Sequence, residues 1–264
     1  QVTPYKADIA HALALKKRHL RGRHHTLTPA IAVFLNEQIG ILKWSPETAA
    51  HVLGLPFKTI YNWINNGLLK LNLSDLPDKG IRRKRQSDGR RQVFVHGRSI
   101  ETRPKSVQTR QNFGHFEVDT MQSGKKRGDV LVTITERTSR QHIIRRVSGR
   151  NSQAVTPVLI HFFQGIKNAK SITVDRGREF AKYDEIEEVL GIPVYFAHPY
   201  SPEERGSNEI LNRYVRRFIP KERKIDTVSN KELDQINHWI NARPMKTLNW
   251  QSPRKVFQQF VVFG

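Results

Sequence analysis

The stretch SITVDRG (residues 171–177) decides the fold of this protein, because it joins a short apolar run to an acidic turn. An apolar run of this length, bounded by turn residues, is typical of a buried strand. Asp175 falls at the carboxyl end of that strand, where α/β sheets gather their ligands. The alternative is that Asp175 is only a turn or cap residue before Arg176 and Gly177.

Strand-like and helical runs alternate on both sides of this stretch. Strands are predicted at 115–121, 129–136, 141–147, 171–175 and 194–196, and helices at about 152–165, 179–190 and 206–218. This order, β-β-β-α-β-α-β-α, predicts the α/β fold class, with a mixed sheet and helices on its faces.

The pattern before residue 78 is all helical. Helices are predicted over 29–43, from Pro46 to a stop at Gly54, and from about 56 to 67. Helix, short glycine-containing turn and helix is the layout of a helix-turn-helix. On the last helix, three outward-facing residues could contact phosphates and base edges: Lys58, Thr59 and Asn62. The alternative is an ordinary three-helix subdomain whose polar face is only solvated.

The charge of the chain predicts a polyanionic partner. Its 264 residues contain 45 Lys and Arg against 24 Asp and Glu, a net charge of +21. Nucleic acid is the first candidate for such a partner. Residues 79–112 look like a basic linker with one short strand at 92–95. Its densest run could lie along a DNA backbone: Arg82, Arg83, Lys84 and Arg85.

Several classes of protein are disfavoured by what the sequence lacks. No apolar run approaches the roughly 18 residues that span a bilayer, and the first residues do not resemble a secretory signal. The chain contains no cysteine, so it has neither disulfides nor cysteine-ligated zinc, and a reducing cytoplasm is compatible with it. Because it does not begin with Met, we expect it to start inside a longer protein.

These patterns divide the chain into predicted parts. We expect a basic N-terminal segment, a helix-turn-helix-like DNA-binding domain, a basic linker, a catalytic core and a C-terminal helical extension. Their predicted bounds are 1–28, 29–78, 79–112, 113–225 and 226–264.

Three acidic residues on separate elements are the candidate metal ligands. Asp119 lies at the end of a strand, Asp175 follows the buried strand, and Glu209 opens an amphipathic helix. Such carboxylates would repel one another if the fold brought them together without a cation. Mg²⁺ prefers hard oxygen ligands, and two ions about 4 Å apart clamp both oxygens of an in-line phosphoryl displacement. Taken alone, Glu209 would be read as a solvent-exposed residue at a helix N-terminus.

Other acids and histidines near these positions are weaker candidates. Glu117 shares its side-chain parity with Asp119 and could support that residue or belong to a solvated face. We do not assign Glu179, Glu203 or Glu204 as ligands. Among the 11 histidines, only His198 merits a test as a supporting residue.

The chain resembles the DDE transposases of bacterial insertion sequences, in the family named for insertion sequence thirty. The segments that carry the resemblance cover nearly the whole chain: WSPE (44–47), TIY (59–61), GHFEVD (114–119), TVDRGREF (173–180), PYSPEERGSNE (199–209), ILNRYVRRFIPK (210–221) and NARPMKTL (241–248). The 33 residues between Asp175 and Glu209 also fit the pattern of that family.

The resemblance implies a fold and an activity. It implies a ribonuclease-H-like catalytic domain in which Asp119, Asp175 and Glu209 bind two Mg²⁺ or Mn²⁺ ions. The implied reactions are strand cleavage at the ends of an element and strand transfer into target DNA, through a circular or tandem-end intermediate. The implied partners are double-stranded DNA (terminal inverted repeats and target) and further copies of the chain, as a homodimer or higher oligomer in the bacterial cytoplasm, associated with the nucleoid.

The segment around Glu209 also carries candidate DNA contacts. On its helix, Arg213 and Arg216 follow Glu209 along one face, and Arg217 lies one turn beyond Arg213. The DNA-contacting residues predicted for this segment are Arg205, Asn208, Arg213, Arg216, Arg217 and Lys221.

Two alternatives stay open at this point. A retroviral-type integrase would need a zinc-binding module of histidines and cysteines, and the lack of cysteine argues against it. A DNA-binding regulator on an inactive nuclease-like fold would not need all three acids, and their presence argues against it.

Overall fold

The structure is a computed structural model that describes residues 6–20, 26–77, 97–124, 128–199 and 201–264. The chain forms two compact units, residues 1–82 and 83–264. The predicted strand at 92–95 and the basic run from Arg82 to Arg85 lie outside the described residues.

The first unit is helical. Its helices are α1 (Ala7–Leu20), α2 (Pro29–Leu35), α3 (Pro46–Val52) and α4 (Phe57–Asn65), and α2 continues as a π-helical turn (Asn36–Ile41). The predicted helices at 29–43, 46–54 and 56–67 are confirmed.

Local sequence explains where these helices begin and end. The Ser45 hydroxyl accepts a hydrogen bond from the Thr48 amide at 3.1 Å, and Pro46 occupies the first helical position of α3. Gly54 adopts a positive φ of 65° in the turn before α4, a conformation that glycine adopts without strain. The helices pack around a small apolar core that includes Leu35, Ile39 and Ile60.

Helix α1 was not predicted, although it lies in the segment described above only as basic. Its apolar side chains are exposed: Ile9, Leu13 and Leu15. A helix without a buried apolar face leaves little periodic signal in the sequence.

The second unit is built on a mixed sheet. The six strands among the described residues are β1 (Arg98–Ser99), β2 (His115–Gln122), β3 (Val130–Glu136), β4 (His142–Val147), β5 (Ser171–Val174) and β6 (Val194–Phe196). Their order is β1-β6-β5-β2-β3-β4. Strands β2, β3 and β4 form an antiparallel meander, whereas β5 pairs parallel to β2, β6 to β5 and β1 to β6.

The predicted ribonuclease-H-like mixed sheet is therefore confirmed. Every strand predicted from 115 to 196 is present, within one residue of its predicted bounds. The two-residue strand β1 was not predicted, because it is too short to show any alternation of side chains.

Helices cover both faces of this sheet. They are α5 (Ser152–Gln164), α6 (Tyr183–Leu190), α7 (Gly206–Phe218), α8 (Asn230–Ala242) and α9 (Pro253–Phe260). Alternate side chains of β2 point to opposite faces. Phe116 and Val118 join the core formed with α5, whereas Met121 joins the core formed with α7 and α8. By the same parity, Glu117 and Asp119 face α7.

A search of the described helices for a bilayer-spanning segment finds none of sufficient length and apolarity.

Candidate active site

Two of the predicted acids lie side by side on neighbouring strands, Asp119 within β2 and Asp175 just after β5. Strands β2 and β5 are parallel, and their last aligned pair is Glu117 with Thr173. Asp119 and Asp175 each follow that pair by two residues. The register of the sheet therefore brings them together. Asp175 follows the end of its strand as predicted, whereas Asp119 was predicted at a strand end and lies inside β2, which continues to Gln122 in its pairing with β3.

A guanidinium group lies between these two carboxylates. Arg205 places Nη1 3.3 Å from Asp119 Oδ1 and Nη2 3.5 Å from Asp175 Oδ2. Its side chain is only 15% exposed, so the charges interact at low effective dielectric. Arg205 was predicted to contact DNA, but here it neutralises the acids.

The charges around Asp119 oppose one another. Burial raises the pKa of Asp119, Arg205 lowers it, and Asp175 raises it again. The backbone N–H of Thr120 also donates to Asp119 Oδ1 at 2.8 Å and favours the ionised form. Two adjacent carboxylates with this much burial require a positive charge beside them.

Helix α7 brings the third predicted acid to the same face of the sheet. Asn212 Nδ2 donates to Asp119 Oδ2 at 3.1 Å. Glu209 precedes Asn212 by three residues, and side chains three residues apart lie on one helical face. Glu209 is half-buried in the first turn of α7. Within the described part of the chain, no three His, Cys, Asp or Glu side chains are arranged to hold a metal ion.

A buried polar network fixes the start of α7. Glu117 is fully buried and forms an ion pair of 2.7 Å with Arg137. Its other oxygen accepts the backbone N–H of Asn208 at 2.9 Å. The Asn208 side chain in turn accepts a hydrogen bond from the Thr135 hydroxyl. Glu117 is thus a supporting residue rather than part of a solvated face.

This network corrects the role predicted for Asn208. Its side chain has no exposed surface, so we assign Asn208 to the support of α7 and not to DNA. The sequence missed this role because helical spacing cannot show which end of a helix is covered by the sheet.

Glu179, which was not assigned as a ligand, is a central residue of the site. Its side chain is 3% exposed, and its Oε1 accepts hydrogen bonds from Thr120 Oγ1 and Arg150 Nε, each at 2.6 Å. The Glu179 and Asp175 carboxylates both close over Gly177, where an added Cβ would overlap them. Arg150 was missed because nothing in the sequence separates it from the other basic residues of the chain.

His198, the histidine named from sequence, pairs with Glu204, and a second histidine, His115, is buried in the sheet. His198 Nδ1 lies 2.7 Å from Glu204 Oε1, and this hydrogen bond raises the pKa of His198. His115 is buried at the opposite end of β2 from Asp119, where its Nδ1 meets Ser171 Oγ at 2.7 Å. Burial and nearby cations lower the pKa of His115 to about 4.

The predicted DNA contacts differ in their exposure. Lys58 and Asn62 are exposed on α4 and Thr59 is half-buried. Arg213 and Lys221 are exposed and Arg217 is partly buried. The guanidinium of Arg216 donates to the backbone oxygen of Gln122 at 2.8 Å, which ties α7 to the end of β2. The DNA contacts of these residues stay predictions.

A mixed sheet of this order, with Asp119 and Asp175 side by side on its two central neighbouring strands β2 and β5, is the ribonuclease-H-like architecture that the sequence predicted. No family model matches the chain. The transposase for insertion sequence element IS4351 of Bacteroides fragilis is 32% identical over 272 residues, which cover 97% of this chain and 82% of that protein. The chain therefore belongs to the transposases of bacterial insertion sequences, as the resemblance to the family of insertion sequence thirty predicted.

A second similar protein is also a transposase of an insertion sequence element. The transposase InsI for insertion sequence element IS30C of Escherichia coli (strain K12) is 33% identical over 227 residues, which cover 83% of this chain and 57% of that protein. The chain thus spans little more than half of the length of that relative. Among solved structures, the catalytic core domain of the BIV integrase matches 55% of this chain with 15% identity and a TM-score of 0.41.

Proposed function

We propose that Asp119, Asp175 and Glu209 are the active-site carboxylates of this transposase, which cleaves DNA strands at the ends of an insertion sequence and joins them to target DNA. The observation that carries the proposal is the pairing of Asp119 and Asp175, on adjacent strands, around one cation. Glu209 is assigned through Asn212, its neighbour one turn along α7, which already contacts Asp119.

The paired aspartates fit divalent metal ions, and Glu209 is the proposed third ligand. Its donors are carboxylate oxygens, which suit Mg²⁺ and Mn²⁺, and the pair of acids is already arranged around a positive charge. We infer that two ions would be held by Asp119, Asp175 and Glu209. When bound, they supply the Lewis acid that activates an attacking hydroxyl and stabilises the leaving oxygen.

The residues of the chain itself have separate tasks. Arg205 holds the two aspartates in place through its ion pairs with both of them. Asn212 orients the Asp119 carboxylate through its 3.1 Å hydrogen bond. Positive side chains on α7, of which Arg213 is exposed, would bind phosphates beside the site, because arginine presents several N–H donors in one plane.

Double-stranded DNA is the proposed substrate, both as terminal inverted repeats and as target. The helix-turn-helix-like arrangement of α3 and α4, with Lys58 and Asn62 exposed, would provide a second contact with the ends of the element. A homodimer or higher oligomer is proposed because two ends must be processed together. These proposals come from the family and from the basic charge of the chain.

A second candidate function is a DNA-binding regulator on an inactive fold. The observation that favours it is the occupation of the pair of acids by Arg205, since an inactive protein would keep those ion pairs permanently. The two functions differ in one respect: only the enzyme has to release Arg205 when metal ions bind.

The experiment that tests the proposed function replaces each acid by its amide. We expect Asp119→Asn, Asp175→Asn and Glu209→Gln to abolish metal-dependent nicking and strand transfer on DNA that carries the ends of the element. Binding of the same DNA should persist, because phosphate contacts come from Lys and Arg.

Glu203→Gln and Glu204→Gln serve as matched controls, because both acids lie within six residues of Glu209. Strand transfer at the unchanged rate by Asp175→Asn would refute the assignment. A Glu204→Gln protein that is inactive beside an active Glu209→Gln protein would show that the third ligand was chosen wrongly.

A further inference from the structure

Glu179 and Arg150 form an ion pair beside the proposed active-site acids. Arg150 lies in the connection between β4 and α5, just before Asn151, the residue that caps α5. Glu179 lies in the turn that follows Asp175. The contact therefore ties two separate loops together at the edge of the site.

Glu179 also connects this contact to Asp119. The same oxygen, Oε1, accepts the Thr120 hydroxyl and the Arg150 Nε, both at 2.6 Å. Thr120 follows Asp119 and donates its backbone N–H to the Asp119 carboxylate. A displacement of Arg150 would thus be transmitted through Glu179 and Thr120 to a proposed metal ligand.

The contact with Glu179 uses the Nε atom of the Arg150 guanidinium. In the part of the chain that the structure describes, the hydrogen bond of Arg150 to Glu179 does not use its two Nη atoms, each of which carries further N–H donors. The side chain of Arg150 is 30% exposed, whereas that of Arg205 is 15% exposed. Of these two cations beside the acids, Arg150 is the more accessible to a substrate.

The electrostatic surroundings hold Arg150 at the site. Burial lowers the pKa of Arg150, but Glu179, Asp175 and Asp119 outweigh that effect and raise it. The guanidinium is therefore within electrostatic reach of both proposed metal ligands. A DNA phosphate approaching these acids would be repelled by them, and a fixed cation at the edge offsets that repulsion.

We propose that Arg150 binds a DNA phosphate next to the reacting phosphate, and that Glu179 positions Arg150 for this contact. The ligand is one phosphodiester of the substrate strand, which the two Nη atoms can contact through paired hydrogen bonds. The inference rests on the proposed function, since it assumes that DNA reacts at Asp119 and Asp175. The alternative is that Arg150 only neutralises the buried Glu179.

The test compares Arg150→Ala, Arg150→Lys and Glu179→Gln in the full chain, in a strand-transfer assay on a duplex with the end of the element. Arg150→Ala should lower the rate at saturating DNA on the order of 10²-fold, the scale of a misplaced reacting group. Arg150→Lys should recover part of this rate, because it keeps the charge. The rate of Glu179→Gln should lie between the rates of Arg150→Ala and Arg150→Lys. Its amide oxygen can still accept the hydrogen bond from Arg150, but it no longer carries the negative charge.

Arg145→Ala is the matched control, since Arg145 is an exposed arginine on β4, five residues before Arg150. It should leave the rate unchanged. Thermal unfolding of each variant separates loss of fold from loss of function. If Arg150→Ala does not fold, Arg150→Gln replaces it, because its amide can still donate to Glu179.

A charge-neutral methylphosphonate, placed at each linkage near the end in turn, identifies the contacted phosphate. At one linkage the neutral group should slow the wild-type chain to the rate of Arg150→Ala and should not slow Arg150→Ala further. The inference would be overturned if the methylphosphonate slowed the wild-type chain and Arg150→Ala by the same factor at every linkage. It would also be overturned if Arg150→Ala reacted at the wild-type rate. Asp119→Asn run in parallel keeps the two proposals apart: its activity would refute the proposed function, whereas its inactivity leaves that function standing whatever Arg150 does.

Discussion

At the scale of single residues, Arg205 contacts both aspartates at 3.3 and 3.5 Å. A metal ion bound by the same oxygens, as proposed above, would compete with Arg205, and its binding would include the cost of separating these ion pairs. On that proposal, Arg205 stabilises the metal-free protein and weakens its affinity for metal.

Replacing Arg205 by Ala should therefore have two opposite effects. Without metal, the thermal midpoint should fall, because Asp119 and Asp175 are left to repel each other. Mg²⁺ or Mn²⁺ should then raise the thermal midpoint of the Arg205→Ala protein by more than that of the wild-type chain. If the metal binds about tenfold more tightly to the variant, its contribution to the free energy of unfolding is larger by about 1.4 kcal/mol. Differential scanning fluorimetry across a metal titration measures both effects.

Arg213→Ala is the control for this titration, because it removes an exposed arginine from the neighbouring helix. Its response to metal should equal that of the wild-type chain. An Arg205→Ala protein that binds metal no more tightly than the wild type would contradict the competition and would favour the regulator.

His142 makes the stability of the protein depend on pH. It is fully buried, and burial together with Arg243 lowers its pKa from 6.5 to about 3. The unfolded chain therefore binds a proton between these values that the folded chain does not bind. Stability is lost as the pH falls from 6.5 towards 3, by roughly 1.4 kcal/mol for each pH unit.

Urea unfolding at pH 7 and pH 5 checks this prediction. The loss between the two values should be smaller in His142→Asn than in the wild-type chain, because Asn carries no titrating group. His161→Asn, at an exposed position on α5, should leave the loss unchanged. If His142→Asn lost as much stability as the wild type, the buried neutral imidazole would not be the cause.

At the scale of elements, the position of α7 relative to β2 decides whether the third acid reaches the site. Asn212 contacts the Asp119 side chain, and Arg216 contacts the backbone oxygen of Gln122. The backbone N–H of Asn208 donates to Glu117. These contacts fix both the position of α7 along β2 and its rotation about its own axis. Glu209, one turn before Asn212, is carried with it.

The buried ion pair of Glu117 with Arg137 anchors this arrangement. Arg137→Met should cost about 3–5 kcal/mol of stability, because it leaves a buried carboxylate without its partner. Glu117→Gln combined with Arg137→Met should recover part of the loss, since the amide carries no charge and can still accept from Asn208. Urea unfolding measures both variants.

Arg98→Met is the matched control, because Arg98 pairs with Glu187 at the surface, with its own side chain 59% exposed. Exposed ion pairs of this kind contribute little to stability, because water and salt screen their charges. An Arg137→Met variant that loses no more stability than Arg98→Met would show that the anchor is not needed.

At the scale of the whole molecule, the proposed function assigns DNA binding to the helical unit and the reaction to the second unit. The helical unit exposes Lys58 and Asn62 on α4, whereas the acids belong to the second unit. The net charge of +21 adds a sequence-independent affinity for DNA that falls with salt.

Combined replacement of Lys58, Thr59 and Asn62 by Ala should weaken binding to the ends of the element. The slope of log affinity against log salt concentration should decrease by about one, because one cation, Lys58, is removed. Nicking at saturating DNA should persist. Lys70→Ala is the control of equal charge, since Lys70 is exposed in the same unit; equal affinities for both variants would favour a helical unit with no specific DNA contact.

The sequence by itself determined the elements and the identity of the candidate acids. The apolar runs fixed the strands from β2 to β6 because buried strands need continuous or alternating apolar residues, and caps such as Ser45 and Gly54 fixed helix ends. It also pointed to Asp175, which closes such a run, and to Asp119, which lies near the end of another. Glu209 was found by its place at the start of an amphipathic helix and by the resemblance to a family.

Only the tertiary structure decided what surrounds those acids. Arg205, Asn208 and Glu179 received their roles from contacts between residues far apart in the chain, and no local pattern carries such information. The sequence could not distinguish Arg150 from other basic residues, because charge and helical spacing are the same at many positions. The register between β2 and β5 sets these roles, since it determines which side chains meet at the carboxyl edge of the sheet.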